Sequence, residues 1–138
     1  MQIRYSISLN EAREVAEAAR KVALENQWNV AIAIVDEGGH LVYLERLDNT
    51  QPGSILVAQE KACSALLYRR PTKVFQEAVA SGRIGLLNLT GAVAVEGGVP
   101  LINQGQVVGA IGVSGVQAAQ DGQVAEAGAL VAGSFARP

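Results

Sequence analysis

The sequence predicts an α+β domain in which a mostly antiparallel sheet is flanked by helices. Helical and strand patterns follow one another in the order helix, hairpin, two helices, strands, helix. The clearest strand pairs are joined by tight turns, as antiparallel neighbours are. A chain of 138 residues is long enough for one core, so residues 1–138 are expected to form a single domain.

A hairpin over residues 97–115 is the segment around which the rest is organised. The chain is expected to turn at residues 103–106, where Asn and Gly tolerate positive φ, and to return as a strand over residues 107–113. That strand is apolar on both faces, which favours a place in mid-sheet. Its glycines mark positions where a helix, partner chain or ligand approaches closely. Strict alternation places Val107, Ile111 and Val113 on one face and Val108, Ala110 and Gly112 on the other.

The N-terminal part of the chain contains a helix with a clear start signal. Ile3 to Ile7 is a possible short strand. Ser8 and Glu11 have the spacing of a capping box, in which each side chain binds the other residue's backbone amide. An Ala- and Glu-rich helix is predicted from there to about Asn26, with its apolar residues at helical spacing on one face.

The remaining elements follow from turn and capping residues. Gly38 and Gly39 predict the turn of a first hairpin, and Pro71 separates two helices. Gly91 and Gly97 leave the boundaries of the short strands between the hairpins open. The predicted elements are strands Val30–Asp36 and His40–Arg46, helices Ser54–Arg69 and Thr72–Val79, possible strands Leu86–Leu89 and Val93–Val95, and a last helix from Ala118 to about Gly133.

The composition favours a protein that buries part of its surface against copies of itself. Hydrophobic residues make up 49% of the chain and charged residues only 17%. This composition is more apolar than is usual for a small monomeric protein, so a homo-oligomer is expected. A net charge of −2 with two Phe and one Trp argues against nucleic acid as a partner.

No membrane or secretion signal is expected in this chain. The longest apolar run, Val30 to Val35, is far too short to span a bilayer. The first residues lack the apolar region of a signal peptide. A single cysteine excludes an internal disulfide. These observations together predict a cytoplasmic protein.

Several patterns that carry chemistry elsewhere are weak here. Residues 109–115 read GxxGxxG, without the spacing or the preceding βαβ unit of a dinucleotide site. Ser114, His40 and Asp121 supply the residue types of a hydrolase triad, but no GxSxG motif surrounds the serine. One histidine and one cysteine are too few for a structural zinc site, so no metal site is predicted. His40 is read as solvated or hydrogen-bonded, with an axial or interfacial ligand as the alternative, and Cys63 as a packed thiol.

A group of charged residues lies after the first hairpin. Arg46 and Asp48 follow its second strand, and Lys61 lies on a helix that is otherwise apolar inward. Arg46 and Lys61 would face a pocket and hold ligand carboxylates in one reading. In the other, Arg46 pairs structurally with Asp48 and Lys61 is exposed.

A set of linked motifs, taken in order, resembles the GlcG/HbpS-like family of haem-binding or haem-degrading domains. The resemblance covers nearly the whole chain. It implies a profilin-like fold with a five-stranded, mainly antiparallel sheet and helices on both faces, and homo-oligomers that are often octamers. The motifs are residues 35–42, Arg46-Leu47-Asp48, Lys61-Ala62, Arg70-Pro71-Thr72, residues 97–101, residues 105–115 and Asp121.

The resemblance implies a binding protein for haem or a related tetrapyrrole held between protomers, with Arg46 or Lys61 at its carboxylates. Adenosyltransferase-linked members use a histidine of the first helix as haem ligand, and this chain has none there. The positions shared with the family, and so the candidate cofactor-binding residues, are Arg46, Asp48, Lys61, Thr72, Gly112, Ser114 and Asp121, together with Gly98.

Two other functions remain open from the sequence. One is an enzyme acting on a small hydroxy- or keto-compound in diol, glycerol or glycolate metabolism. Asp36, Asp48 or Asp121 would then be the acid or base, and Arg46 would hold a substrate carboxylate. The other is a non-catalytic scaffold of a cobalamin-dependent enzyme, such as a dehydratase, or of an adenosyltransferase.

Overall fold

The protein is a four-stranded antiparallel sheet with helices on both faces. A computed structural model describes all of residues 1–138. Its elements are α1 (Leu9–Glu25), β1 (Ala31–Asp36), β2 (Leu41–Arg46), α2 (Ser54–Tyr68), α3 (Thr72–Ala80), a 3₁₀ helix (Ile84–Asn88), β3 (Gly98–Asn103), β4 (Gln106–Ser114), α4 (Ala118–Val131) and a final 3₁₀ turn (Ala132–Ser134). The strand order is β2-β1-β4-β3. The α+β prediction is therefore confirmed, and the helices that it placed are present.

The prediction of five strands is wrong, because the structure contains four. The segment Ile3–Ile7 is not a strand, although the Ile7 N–H donates to the Val108 carbonyl at 2.9 Å. The segment Leu86–Leu89 lies at the 3₁₀ helix, and Val93–Val95 is irregular. The Val93 N–H donates to the Ser64 hydroxyl at 2.9 Å, so a side chain on α2 takes the bond that a neighbouring strand would have taken.

One face of the sheet carries the main core, under α1 and α4. The capping box at the start of α1 is confirmed, since the Glu11 N–H donates to the Ser8 hydroxyl and the Ser8 N–H to the Glu11 carboxylate. The helix then buries a stripe of small residues, which lets it lie close to its neighbours. The core comprises Ala12, Val15, Ala16, Ala19 and Ala23 of α1 with Ile32, Ile34, Leu101, Ile111, Val113, Val124 and Ala125.

The other face of the sheet is covered by α2, through small side chains on both sides. Ala58 packs against Ala31 and Ala33, and Ala62 against Ala110. At Gly112 the approach is closer still, since a Cβ there would lie 1.9 Å from the Ala58 carbonyl oxygen. Gly112 is thus one of the positions of close approach that the sequence predicted on β4.

The hairpin β3–β4 turns where it was predicted, with two differences in detail. The residues in the left-handed region are Gln104 (φ 48°) and Gly105 (φ 78°), while Asn103 is not among them. A bulge shifts the register between Leu101 and Ile102. It breaks the strict alternation expected for the start of β4, so Val108 joins Ile111 in the main core and Val107 packs on the α2 side.

Candidate functional site

The buried ion pair between Lys61 and Asp121 lies at the centre of the predicted site residues. The Lys61 ammonium donates to the Asp121 carboxylate at 3.1 Å and to the Val113 carbonyl at 3.0 Å. The two side chains are only 2% and 3% exposed. Lys61 belongs to α2, Val113 to β4 and Asp121 to α4, so one ammonium group joins elements from both faces of the sheet.

The carboxylate of Asp121 is held in a nearly dry environment. Its second oxygen accepts the Val116 N–H at 3.1 Å. Burial raises the pKa of Asp121 above its ordinary value, and the Lys61 charge and the backbone amides offset this only in part. Neither reading of Lys61 from the sequence describes this arrangement, because the side chain is not exposed and its ammonium is already bound to Asp121.

Thr72 and Gly98 form a second buried polar contact between a helix and the sheet. The Thr72 hydroxyl, at the first residue of α3, accepts the Gly98 N–H at 2.9 Å and does not cap its own helix. A Cβ at Gly98 would lie 2.3 Å from the Lys61 carbonyl oxygen. Gly112 and the ion pair thus fix α2 against β4, and the contact of Thr72 with Gly98 fixes α3 against the edge strand β3.

The remaining predicted residues lie together at one end of the sheet. The register places Arg46 of β2 opposite Ala31 of β1, and Ala31 opposite Ser114 of β4. These three residues therefore form a row on the α2 face, because directly opposed residues point to the same side. Arg46 and Asp48 are exposed and Ser114 is buried. Arg46 and Asp48 form no ion pair with each other.

The side chains proposed for acid–base or metal chemistry are dispersed. Asp36 accepts the N–H groups of Gly38 and His40 in the β1–β2 turn. His40 is 84% exposed and lies 3.6 Å from Asp36. No group of three or more His, Cys, Asp or Glu side chains is positioned to hold a metal ion. Asp121, in its ion pair, is far from this turn in the fold and inaccessible to a substrate.

Two shallow apolar clefts were not predicted from the sequence. The α2 cleft, of about 380 Å³, lies between the outer side of α2 and the segment 91–93. The α4 cleft, of about 390 Å³, lies between β3 and α4. The α2 cleft is lined by Leu56, Gln59, Glu60, Cys63, Gly91, Ala92 and Val93, and the α4 cleft by Val99, Pro100, Ile102, Glu126, Ala129, Leu130 and Gly133.

Both clefts are continuous with large exposed apolar side chains. Leu56 is 66% exposed and Leu130 82%. The outer side of α2 and the following 3₁₀ region also expose Val57, Leu67, Ile84, Leu87 and Leu89. A signal for this surface was present in the sequence, since α2 carries apolar residues on all sides, which is typical of a helix covered on both faces.

Cys63 in the α2 cleft is half-buried, and its thiol donates to the Gly39 carbonyl at 3.5 Å. Burial raises the pKa of the Cys63 thiol, and the nearby Glu60 carboxylate raises it further. The sequence predicts that Cys63 is a packed thiol, and the structure shows that its side chain also lines a cleft.

The sequence matches a known protein family over most of its length. The model of the family described as "Haem degrading protein HbpS-like" matches residues 7–130. The chain belongs to the HbpS-like family. It is 42% identical to Protein GlcG of Escherichia coli K12 over 114 residues, which cover 83% of this chain and 85% of GlcG. The resemblance seen in the sequence motifs is thereby confirmed.

Solved structures of HbpS-like proteins have the same architecture. The ORFY protein of Klebsiella pneumoniae has a TM-score of 0.90 at 29% identity, with 99% of this chain and 97% of ORFY covered. HbpS of Streptomyces reticuli, solved as a double mutant, has a TM-score of 0.86 at 30% identity, with 95% and 90% covered. No helix of the present structure is long and apolar enough to cross a membrane.

Proposed function

We propose that this HbpS-like chain is a homo-oligomeric protein that binds haem or a related tetrapyrrole between protomers. The observation that carries the proposal is the pair of open apolar clefts, since each would cover only one side of a planar ring and needs a second chain to enclose it. The description of the family as haem-degrading supports a ligand of this class. Clefts of this size and apolar lining are suited to part of a cofactor-sized molecule.

The residues that line the two clefts are better suited to apolar contact with a tetrapyrrole ring than to coordination of a haem iron. The α2 cleft offers apolar walls and one thiol, Cys63, as its only soft iron ligand. The single histidine, His40, lies at the β1–β2 turn and lines neither cleft. We therefore assign the binding energy mainly to apolar contact between the ring and the cleft walls, since the raised pKa of the Cys63 thiol disfavours the thiolate that would ligate iron.

The carboxylates of the ligand need a cation that is free to meet them. Arg46 is exposed and unpaired, and Asp48 and Ser114 accompany it at the same end of the sheet. Lys61 is engaged with Asp121, so Arg46 is the better candidate of the two. An octameric or other even assembly and a cobalamin-dependent partner enzyme stay predictions of the family resemblance, and a cytoplasmic location stays a prediction from the sequence.

Hemin titration tests this function directly. A saturable shift of the Soret band is expected at micromolar protein, with light scattering giving a mass above that of one 14.4 kDa chain. Arg46 lines neither cleft of its own chain, so it would meet the ligand across the interface between protomers. Arg46→Ala should then weaken binding, while His40→Ala should leave the band unchanged. If the protein is oligomeric but gives no saturable shift, haem is ruled out as the ligand and the proposed homo-oligomer is retained. A monomer without a shift would remove both.

A further inference from the structure

The largest concave surface of the molecule contains none of the residues predicted to bind a cofactor. An open groove of about 840 Å³ lies between the N-terminal segment, the end of α2 and the β3–β4 turn. A recess of about 180 Å³ adjoins it. Arg4, Glu37, Arg69 and Val107 line both spaces. The volume of the groove falls within the range of roughly 300–1,000 Å³ that is typical of small-molecule sites.

The charges in this groove are unequal. Arg4 donates to the Glu37 carboxylate at 2.8 Å, so these two charges largely cancel. Arg69 forms no ion pair. The groove is thus left with one free guanidinium group, whose two parallel N–H donors match a carboxylate. Gln2 and Gln106 also line the groove; their amide oxygens accept from Arg4 and Arg137, which leaves their amide N–H groups to donate to the polar part of a ligand.

The backbone at Arg69 gives a second, independent reason to look here. Arg69 ends α2 in the left-handed conformation, with φ 51° and ψ 41°. Glycine is the usual residue in that position, because other side chains are strained there. Gln27, Asn49 and Gln104 also have positive φ, and Arg69 is the one of these four residues that lines the groove.

We propose that this groove binds a small monocarboxylate, with Arg69 as its anchoring cation and the Arg4–Glu37 pair as a fixed polar wall. The net charge of +1 from the three side chains matches a single carboxylate. Val107 and Ile102 provide apolar surface for the body of such a molecule. The groove touches the α4 cleft only at Ile102, which lines both, and it shares no residue with the α2 cleft.

Calorimetric titration of the full-length protein tests this site with propionate, benzoate and inorganic phosphate, and with uncharged propionamide as the matched ligand control. Saturable binding is expected for a carboxylate, with weaker or no binding of propionamide. Phosphate binding in preference to the carboxylates would overturn the assignment of ligand class. A complete lack of saturable binding at millimolar concentrations would overturn the site itself.

Variants of Arg69 separate binding from folding. Arg69→Gly removes the guanidinium and also relieves the left-handed strain, so it should raise the melting temperature while weakening carboxylate binding at least about tenfold. Arg69→Lys keeps the charge without the fork and should bind with intermediate affinity. Arg83→Ala is the control, since this arginine does not line the groove. Unchanged affinity in the stabilised Arg69→Gly variant would refute the role of Arg69.

Discussion

At the scale of single residues, the ion pair between Lys61 and Asp121 is almost completely buried. A buried ion pair gains little over an apolar pair, but removing one partner leaves a charge without compensation. Lys61 and Asp121 come from α2 and α4, so this cost is avoided only when both helices are correctly docked. The pair therefore favours this one arrangement of the helices over less specific apolar packing.

The pair predicts a pH-dependent defect for Lys61→Met. Burial raises the folded-state pKa of Asp121, so its contribution to stability is fullest below the unfolded-state pKa and is lost as pH rises through the folded-state value. The Lys61 charge lowers the pKa of Asp121, so removing this charge in Lys61→Met would raise that pKa further. We expect the variant to lose about 3–5 kcal/mol near neutral pH and clearly less near pH 4, because protonation of the unpaired Asp121 carboxylate increases as pH falls.

Urea denaturation at both pH values, followed by circular dichroism, measures this difference. Lys73→Met is the matched control, because Lys73 is exposed and its ammonium lies 4.0 Å from the carboxylate of Glu77, one turn further along α3. Its effect should be small and nearly independent of pH. Equal destabilisation by Lys61→Met at the two pH values would show that the unpaired carboxylate is not the cause.

At the scale of elements, the contact between α2 and β4 depends on the missing side chain of Gly112. In Gly112→Ala the new methyl group would lie 1.9 Å from the Ala58 carbonyl oxygen and 2.5 Å from the Ala62 amide nitrogen. Both are backbone atoms, so α2 must move away from the sheet. We expect a loss of about 3 kcal/mol or more in thermal or urea unfolding.

Gly85→Ala provides the control for this substitution, since a Cβ at Gly85 meets nothing within 4 Å. It should leave the stability nearly unchanged. If Gly112→Ala were as stable as Gly85→Ala, α2 would have to pack more loosely on the sheet than described.

The elements also explain which parts of the fold could be read from the sequence. The capping box of Ser8 and Glu11 is local, so four residues were enough to predict it. The environment of Lys61 was not predictable, because its partner Asp121 is 60 residues away and the two meet only in the folded chain. The predicted number of strands was wrong for a similar reason. The Val93 N–H, which would have bonded to a neighbouring strand, donates instead to the Ser64 hydroxyl of α2.

Among the candidate site residues, the motifs identified positions but not roles. Thr72 has the sequence of a helix cap, yet its hydroxyl accepts the Gly98 N–H from the edge of β3. Arg69 lies outside the family motifs and was missed, because neither its left-handed backbone nor its groove has a sequence signature. Leu56 could have been noticed, since it is a large apolar residue opposite the small, inward-facing stripe of α2.

At the scale of the whole molecule, one edge of the sheet is unsuited to assembly. On β3, the outward N–H of Gly98 is taken by Thr72, and Pro100 has no N–H to offer two residues further on. Such an edge cannot readily accept a strand from another chain. Contacts on this side of the molecule must therefore use side chains, and the α4 cleft, which includes Pro100, is where apolar ones are exposed.

The outer side of α2 gives the clearest test of how assembly and ligand binding are related. Leu56→Glu puts a charge into the α2 cleft at a side chain that is already two-thirds exposed, so the fold of the single chain should be preserved. We expect light scattering to give a smaller particle and hemin affinity to fall about tenfold, which corresponds to about 1.4 kcal/mol.

Leu24→Glu is the matched control, because Leu24 is 60% exposed on α1 and lines neither cleft. It should keep both the particle size and the hemin affinity of the unmodified chain. Equal effects of the two substitutions would indicate a general response to added charge. If Leu56→Glu lost hemin binding but kept its mass, the α2 cleft would hold the ligand without being an interface. If both properties were retained, the α2 cleft would have no part in either, and the α4 cleft would be the remaining apolar surface to carry them.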